Sequence, residues 1–184
     1  MQQLAGLFLL VGLASCGGGD SARSPAAAPA PAPAASAAQL TCGFDAFQAD
    51  TLRLVNAYRA AGASCRTRGS FPSAPAVRWD DRLTAAAAGH AQDMAENDYF
   101  AHESREGSTP AQRVSAEGYA WRTVGENIAA GQRSVSEVVD GWMASDGHCA
   151  NLMSPAFRDI GMACASDSAS RYGRYWVLEM AAPR

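Results

Sequence analysis

Two histidines and one glutamate lie in three short polar segments of the second half of the chain. They are His102, Glu126 and His148, and the chain contains three histidines in total. Neutral imidazoles and carboxylates are ligands of Zn²⁺, and the same groups transfer protons in general acid–base catalysis. The three residues are too far apart in sequence to form a local zinc motif, so only the fold can bring them together.

The elements that must position these side chains are indicated by hydrophobic periodicity. Apolar residues recur at helical spacing in four segments, and two later segments alternate as strands do. The predicted helices begin at Phe47, at Asp80 or Asp81, at Thr109 and at Ser134, and the predicted strands run from Asp159 to Ala165 and from Arg174 to Ala181. Ser134 and Glu137 have the spacing of a capping box. The third histidine, His90, falls in an apolar helical stripe and is predicted to pack there. We therefore expect an α+β fold, an α-β-α sandwich with a small antiparallel sheet between helices.

The beginning of the chain predicts export. Residues 4–13 are apolar or small, which is too short a run to span a bilayer but fits the core of a secretory signal. The run ends in Leu13-Ala14-Ser15-Cys16, which resembles the lipobox of bacterial lipoproteins, where the chain is cut before a cysteine that then carries the lipid. We therefore expect residues 1–15 to be a signal peptide and Cys16 to carry a lipid. An ordinary secretory signal that is cut elsewhere is the alternative.

Two regions follow the predicted signal peptide. Residues 16–40 are rich in Ala, Pro and Ser and hold few bulky apolar side chains, so they predict a tether. Residues 41–184 have the length of one domain. The chain has 15 basic and 18 acidic residues, for a net charge of −3, and nothing in it indicates a basic face for nucleic acid. All of the basic residues are arginine, which excludes covalent catalysis by lysine.

Four cysteines remain once Cys16 is assigned to the lipid. An even number of cysteines in an exported domain predicts disulfide bonds, and three pairings are possible. We favour Cys42–Cys65 and Cys149–Cys164 because each pair encloses one local unit of the chain. The alternative is that Cys149, which directly follows a histidine, acts as a thiol nucleophile. An oxidising compartment favours the bridge.

Short motifs in a fixed order extend over residues 44–182. They are Leu54-Val55-Asn56-x-x-Arg59, Trp79-Asp80, Tyr99-Phe100-x-His102, Gly125-Glu126-Asn127-Ile128, Gly141-Trp142, Gly147-His148-x-x-Asn151 and Tyr175-Trp176. Each motif alone is weak, but all of them in this order resemble the CAP (SCP) superfamily, which is named for cysteine-rich secretory proteins, antigen 5 and pathogenesis-related proteins. The segment Ser145-x-Gly147-His148, followed by Cys149, is most similar to the bacterial branch. The resemblance implies an α-β-α sandwich with a surface cleft that holds two histidines and two acidic residues.

The resemblance also implies which residues form that cleft. His102, Glu126 and His148 match three of its four positions. We also expect Asn127 beside them among the ligand-binding residues; the alternative is that Glu126 and Asn127 are structural and satisfy backbone donors of a loop. The fourth position is Ser145 here instead of an acid. A Zn²⁺ ion bound by His102, His148 and Glu126 would keep a position for water. If Glu126 instead accepts a hydrogen bond from a histidine, it would support that ligand without binding the metal.

The expected function follows from the export signal and the cleft. We expect a lipid-anchored protein of the bacterial cell envelope, held to the membrane at Cys16 or otherwise secreted, that binds a lipid, a wall fragment or a protein through the cleft. No nucleic acid partner is expected. The alternative is a metal-dependent hydrolase that uses the same residues. The sequence carries no Gly-x-Ser-x-Gly, His-Glu-x-x-His or phosphate-loop motif, which favours binding over catalysis. A scaffolding role in the envelope is a third interpretation.

Overall fold

The computed structural model describes residues 40–184, so the predicted signal peptide, Cys16 and the predicted tether up to residue 39 lie outside the described residues. The helices are α1 (Phe47–Ala61), α2 (Asp81–Glu96), α3 (Pro110–Ala116), α4 (Val135–Met143) and α5 (Asp146–Met153). The strands are β1 (Ala63–Ser64), β2 (Ser70–Phe71), β3 (Arg78–Trp79), β4 (Trp121–Ala130), β5 (Asp159–Ser166) and β6 (Arg174–Pro183). A 3₁₀ turn, Arg66–Arg68, links β1 to β2. No helix of this described region is long and apolar enough to cross a membrane.

The centre of the fold is a four-stranded sheet in the order β3-β5-β6-β4. Strand β6 pairs antiparallel with both β4 and β5, whereas β3 pairs parallel with β5 through two residue pairs. The sheet is therefore antiparallel apart from this short edge strand. Strands β1 and β2 form a separate two-stranded sheet. The two predicted strands are confirmed as β5 and β6, which extend slightly beyond the predicted ends.

Helices cover both faces of the four-stranded sheet. Successive residues of a strand point to opposite faces, so β6 places Val177 against α2, and Trp176 and Leu178 against α1 and α4. Gly161 of β5 allows α2 to approach the sheet, because a methyl group at this position would collide with the backbone of Thr84. The predicted α+β class and the α-β-α arrangement are confirmed.

Side-chain caps begin three of the helices. Asp80 accepts a backbone hydrogen bond at the start of α2, and Thr109 begins α3 within a complete capping box. Ser134 caps α4 as predicted. The carboxylate of Glu137, however, accepts from the backbone N–H of Arg133, so the capping box predicted for α4 is only half formed.

Two disulfide bonds form, but not in the favoured pairing. Cys42 bonds to Cys164 and Cys65 bonds to Cys149, across sequence separations of 122 and 84 residues. The prediction of Cys42–Cys65 and Cys149–Cys164 is wrong because each cysteine meets a distant part of the chain. Cys164 lies within the sheet on the side of α1, whereas Cys149 lies in α5 and packs with Cys65 in a separate cluster. Cys149 is also bonded and buried, which excludes the thiol nucleophile.

Two elements that carry the site are not marked by periodicity. Strand β4 shows no alternation because residues 126–129 are all buried, although two of them are polar. Helix α5 has eight residues, a glycine in its first turn and little amphipathic character. Both elements are stabilised by the surfaces they pack against. A local sequence pattern does not show such contacts.

Candidate functional site

Glu126 and His102 form the centre of the site. Glu126 lies on β4 with its side chain 1% exposed, while His102 lies in the loop between α2 and α3 and keeps 52% of its side chain exposed. The Nδ1 nitrogen of His102 lies 2.6 Å from Oε1 of Glu126, so His102 donates a hydrogen bond to the carboxylate. In the neutral ring this leaves the lone pair on Nε2, the atom that acts in a general base or a metal ligand.

Arg113 of α3 binds the other oxygen of the same carboxylate. Its Nη2 atom lies 2.6 Å from Oε2 of Glu126 and also donates to the carbonyl of His102 at 3.0 Å. Its Nη1 atom donates to the carbonyl of Ser108 at 2.7 Å. Arg113 therefore ties the loop that carries His102 to β4. The sequence gives no signal for this role, because nothing in a seven-residue helix shows which side chain will meet a strand.

Burial and the surrounding charges act on these groups in opposite directions. Burial opposes the ionisation of Glu126, but the hydrogen bond from His102 and the charge of Arg113 outweigh it and lower the pKa of this carboxyl. The hydrogen bond to Glu126 raises the pKa of His102 above its ordinary value of 6.5, although partial burial opposes the shift. At neutral pH Glu126 is therefore ionised, and His102 is easier to protonate than a free histidine.

A second carboxyl group lies beside Glu126. Glu179 of β6 is the cross-strand partner of Glu126 and is fully buried. Burial, and then the negative charge of Glu126, raise the pKa of Glu179 well above its ordinary value of 4.5. Arg113 lies 3.8 Å from Glu179 but is already bound to Glu126. Glu179 therefore favours its protonated, neutral form more strongly than an ordinary glutamate does. The sequence shows it only as one polar residue within an apolar strand.

Helix α5 brings His148 to the site. The side chain of Asn127 donates to the carbonyl of His148 at 3.1 Å, and Asn151 donates to Oδ1 of Asn127 at 3.0 Å and to the carbonyl of Glu126 at 3.2 Å. These bonds fix the first turns of α5 against β4. Asn127 is fully buried and its amide is used in these contacts. It therefore positions His148 and does not line the cleft, in contrast to the expectation from the resemblance.

His102 and His148 lie close enough to interact electrostatically. Burial lowers the pKa of His148 below 6.5, and the positive charge that His102 carries lowers it further. Over an interval of pH the cleft thus holds one protonated and one neutral imidazole. His102, Glu126 and His148 are brought together as the sequence indicates, although they lie on a loop, a strand and a helix.

Neither aspartate near Ser145 supplies the acid that the resemblance implies at that position. Asp140 accepts a hydrogen bond from the hydroxyl of Tyr58 at 2.8 Å. Asp146 accepts one from the backbone nitrogen of Thr67 at 3.1 Å. Both carboxylates are engaged with α1 and the turn that follows it. The cleft therefore has Glu126 with Glu179 beside it, and no acid at the serine position.

The contacts of Glu126 also bear on the predicted zinc site. Glu126 uses one oxygen for His102 and the other for Arg113. Residues 40–184 contain no group of three His, Cys, Asp or Glu side chains arranged to hold a metal ion. The geometry does not fit an ion bound by His102, His148 and Glu126, and it fits the alternative in which the carboxylate supports His102. Zinc binding by the two imidazoles stays a prediction.

An apolar pocket of about 350 Å³ opens beside His148. Its walls include Ile128 of β4 and Trp142 of α4, and its open side carries Phe100 and Tyr172, whose ring centroids lie 6.0 Å apart. These two aromatic side chains are large hydrophobic residues that remain exposed, at 45% and 40%. Apolar walls with a few polar groups are typical of a small-molecule site. We call this space the apolar pocket.

His90 is packed in the buried apolar stripe of α2, as predicted. It is buried, and its Nε2 atom donates to the carbonyl of Ala101 at 2.8 Å. Because Ala101 directly precedes His102, this bond also helps to fix the loop of the site. Burial is the main cause that lowers the pKa of His90, so its ring is neutral at neutral pH.

Comparison with known sequences identifies relatives of the folded region. A sequence profile of the cysteine-rich secretory protein family, CAP, matches residues 52–180. The uncharacterized protein YkwD of Bacillus subtilis (strain 168) is 40% identical over 83 residues, which are 45% of this chain and 32% of that protein. The uncharacterized membrane protein YlbC of the same organism is 31% identical over 86 residues, which are 47% of this chain and 25% of that protein. The matched segments thus make up only about a third or a quarter of these relatives.

Solved structures share the fold. An extracellular protein containing an SCP domain from Bacillus anthracis str. Ames has a TM-score of 0.56 and 24% identity, over 73% of this chain and 41% of that chain. An outer surface protein from Borrelia burgdorferi has a TM-score of 0.58 and 19% identity, over 77% of this chain and 97% of that chain. At these identities the likeness shows the fold alone. Because the profile match covers well over half of the chain and contains His102, Glu126 and His148, the chain belongs to the CAP family of cysteine-rich secretory proteins.

Proposed function

We propose that this protein is an exported binding module of the bacterial cell envelope, whose ligand enters the cleft at His102 and His148 and occupies the apolar pocket. The observation that carries this proposal is the apolar pocket itself. Phe100 and Tyr172 stand exposed at its open side, and its other walls are mostly apolar, with Gln132, Ser145 and His148 as the polar residues. Covering such side chains with an apolar group removes their surface from water, which favours binding.

The two histidines supply the polar end of the site. The Nε2 atom of His102 is left without a role in the bond to Glu126, so it accepts a hydrogen bond when neutral and donates one when protonated. His148 lines the apolar pocket and favours its neutral form. A ligand with an apolar body and a polar group matches this arrangement. Lipids, wall fragments and protein segments with an exposed apolar side chain all have that character.

Binding is favoured over catalysis because the base lacks a nucleophile. The bond from His102 to Glu126 is the arrangement of a general base held by a carboxylate. Ser145 lines the apolar pocket, but within the described region no hydrogen bond joins its hydroxyl to the ring of His102 or to that of His148. A nucleophilic serine needs such a bond to its base. A metal-dependent hydrolase is the competing function, and turnover of a probe identifies it.

Export and anchoring are part of the proposal. The apolar run at residues 4–13 and the lipobox-like ending at Cys16 support a lipoprotein signal. The two disulfide bonds support an oxidising compartment outside the cytoplasm. We propose that a lipid on Cys16 holds the folded domain at the membrane surface, where the cleft meets its ligand.

Isotope-labelled histidine allows the proposal to be tested by NMR with probes of different classes. The probes are a short-chain phospholipid, dihexanoylphosphatidylglycerol, and soluble muropeptides released from cell walls. We expect at least one probe to shift the ring resonances of His102 and His148, to leave those of buried His90 in place, and to be recovered unchanged. The absence of any shift at His102 and His148 contradicts the proposal. Probe hydrolysis that depends on His102 favours the enzyme instead, and Zn²⁺ added alone tests the zinc prediction in the same spectra.

A further inference from the structure

A second pocket adjoins the apolar pocket. It has a volume of about 660 Å³ and lies between the loop from β4 to α4 and the turn from β5 to β6. Its lining includes Gly131, Arg133, Ser166, Ser168, Gly173 and Arg174, and we call it the arginine pocket. Tyr172 lines both pockets. We propose that the two pockets together bind one amphiphilic molecule, with a phosphate group in the arginine pocket and the apolar body in the apolar pocket. This inference rests on the proposed function and names the class of its ligand.

Arg133 and Arg174 give the arginine pocket its charge. The lining of the pocket contains no acidic side chain. Within residues 40–184, neither arginine has a carboxylate oxygen within 4.0 Å. Five other arginines of the domain do have such a partner, namely Arg53, Arg66, Arg78, Arg82 and Arg113. The guanidinium groups of the arginine pocket are therefore available to an anion from solution.

The carboxylates of Glu137, Asp167 and Asp98 do not occupy these guanidinium groups. Glu137, Asp167 and Asp98 each accept a backbone N–H, at 2.8, 2.8 and 2.7 Å. They balance the total charge of this end of the domain, while one oxygen of each is bound to a backbone N–H. A further guanidinium, that of Arg171, lies 5.2 Å from the ring centroid of Tyr172. Positive groups thus lie close to the aromatic residue that the two pockets share.

The chemistry of the lining favours phosphate. Guanidinium groups bind phosphate oxygens through paired N–H donors, and these charge-assisted hydrogen bonds are among the strongest in proteins. The hydroxyls of Ser166 and Ser168 add donors to the same space. Two guanidinium groups and two hydroxyls match the several oxygens of a phosphate better than the two oxygens of a carboxylate. Because Tyr172 is a wall of both pockets, a phosphate bonded closely to an apolar body fits the pair, as in a phospholipid.

Short-chain phospholipids that stay monomeric separate the two parts of the site. The full chain, made with Cys16→Ser so that no lipid of its own is attached, is titrated by calorimetry with dihexanoylphosphatidylglycerol, which is anionic. The comparison is dihexanoylphosphatidylcholine, which has the same acyl chains and no net charge. We expect the anionic lipid to bind about tenfold more tightly. Both lipids offer a phosphate to the two guanidinium groups, but the positive choline group of the neutral lipid is repelled by them. Inorganic phosphate alone should bind more weakly, since it leaves the apolar pocket empty.

Substitutions test which residues bind the phosphate group and which bind the apolar body. The double variant Arg133→Gln with Arg174→Gln should lose the preference for the anionic lipid, because no charged donor of the arginine pocket is then left to select it. Arg122→Gln changes an exposed arginine on β4 and is the matched control, which should behave as the parent chain does. Tyr172→Ser should weaken the binding of both lipids, because it removes a wall that both pockets share. All of these side chains lie at the surface or only partly buried, so the core is not altered.

Three outcomes of the lipid titrations overturn the inference. They are no binding of either lipid, equal affinity for the two lipids, and an unchanged preference in the double arginine variant. Phosphate that binds as tightly as the anionic lipid, with no effect of Tyr172→Ser, also overturns it, because the pocket then holds an ion only. His102→Ala distinguishes this inference from the proposed function. If His102→Ala loses lipid binding and the double arginine variant does not change it, the cleft is the binding site and the arginine pocket is rejected. If the arginine variant changes lipid binding and His102→Ala does not, the arginine pocket is supported and the role of His102 in the proposed function is rejected.

Discussion

The Nδ1 atom of His102 and the Oε1 atom of Glu126 lie 2.6 Å apart, although the first side chain is half exposed and the second is almost completely buried. This bond connects the cleft to the sheet. Because Arg113 binds the other oxygen of the carboxylate at 2.6 Å, the carboxylate is fixed on both sides. The orientation of the His102 ring is therefore set by β4 and α3, and not by the loop that carries it.

The two histidines of the cleft should titrate at different pH values. The hydrogen bond to Glu126 raises the pKa of His102, whereas burial lowers that of His148. An NMR titration of the ring resonances should place His102 above the ordinary value of 6.5 and His148 below it. In Glu126→Gln the pKa of His102 should fall, because the largest cause of its rise is removed. Equal or reversed pKa values would show that the bond is not formed in solution.

Glu179 should lower the stability of the protein at neutral pH. Its pKa is raised in the folded state, so the unfolded chain releases this proton more readily, and stability falls as pH rises above the ordinary value of 4.5 until the folded pKa is passed. Glu179→Gln keeps the shape and an N–H donor toward Glu126 but cannot ionise. We expect this variant to melt at a higher temperature than the wild type at neutral pH.

The pH dependence distinguishes this effect from a change in packing. Below the ordinary glutamate pKa of 4.5 the advantage of Glu179→Gln should disappear, because the carboxyl is then neutral in both states. Glu117→Gln, at an exposed position after α3, serves as the control and should melt as the wild type does. An advantage of the same size at every pH, or a lower melting temperature at neutral pH, is inconsistent with a buried neutral acid.

The Cys65–Cys149 bond should support the position of His148. Cys65→Ala with Cys149→Ala should lower the free energy of unfolding by about 2–5 kcal/mol, as the loss of a native disulfide does. The ring resonances of His148 should move, because α5 loses its covalent link to the turn after α1. Peptide mapping without reduction should recover Cys42–Cys164 and Cys65–Cys149. Recovery of a Cys149–Cys164 peptide from the native protein would contradict the structure.

Much of the fold could be predicted because its signals are local. The stripe from Leu83 to Met94 and the caps at Asp80 and Thr109 depend on neighbours within one or two turns, so the helices are visible in the sequence. The apolar runs of β5 and β6, which are buried on both faces, are equally local signals. Strand β4 is not predicted by the sequence pattern, because its buried residues include Glu126 and a neighbouring amide. These polar side chains are buried because they bind groups on other elements.

The parts of the site that escaped prediction depend on contacts between distant segments. Glu179 meets Glu126 through the register of two strands, and Arg113 meets it through the packing of a helix. The disulfide partners Cys42 and Cys164 meet across the sheet edge in the same way. The spacing of residues along the chain does not predict such tertiary contacts. The two cleft histidines could be placed together because the family resemblance implies a shared cleft, which residue type and spacing alone do not show.

The lipid anchor is predicted from residues that lie outside the described structure. When the gene product is exported in a bacterium, the wild type should enter the detergent phase, whereas Cys16→Ser should stay in the aqueous phase. The substitution removes only the thiol that a lipid would modify, so the folded domain should keep its melting temperature. Intact-mass analysis that finds an unmodified Cys16 in exported wild-type protein would reject the anchor.

The most direct test of the binding site uses magnetisation transfer between protein and probe. We predict nuclear Overhauser effects from the acyl protons of dihexanoylphosphatidylglycerol to the rings of Phe100 and Tyr172, together with a shift of the His148 ring. A second apolar pocket of about 310 Å³, lined by Phe44 and Trp79 among others, provides the internal control. Contacts to Trp79 without contacts to Phe100 or Tyr172, or no contacts with either pocket, would contradict a ligand site beside His148.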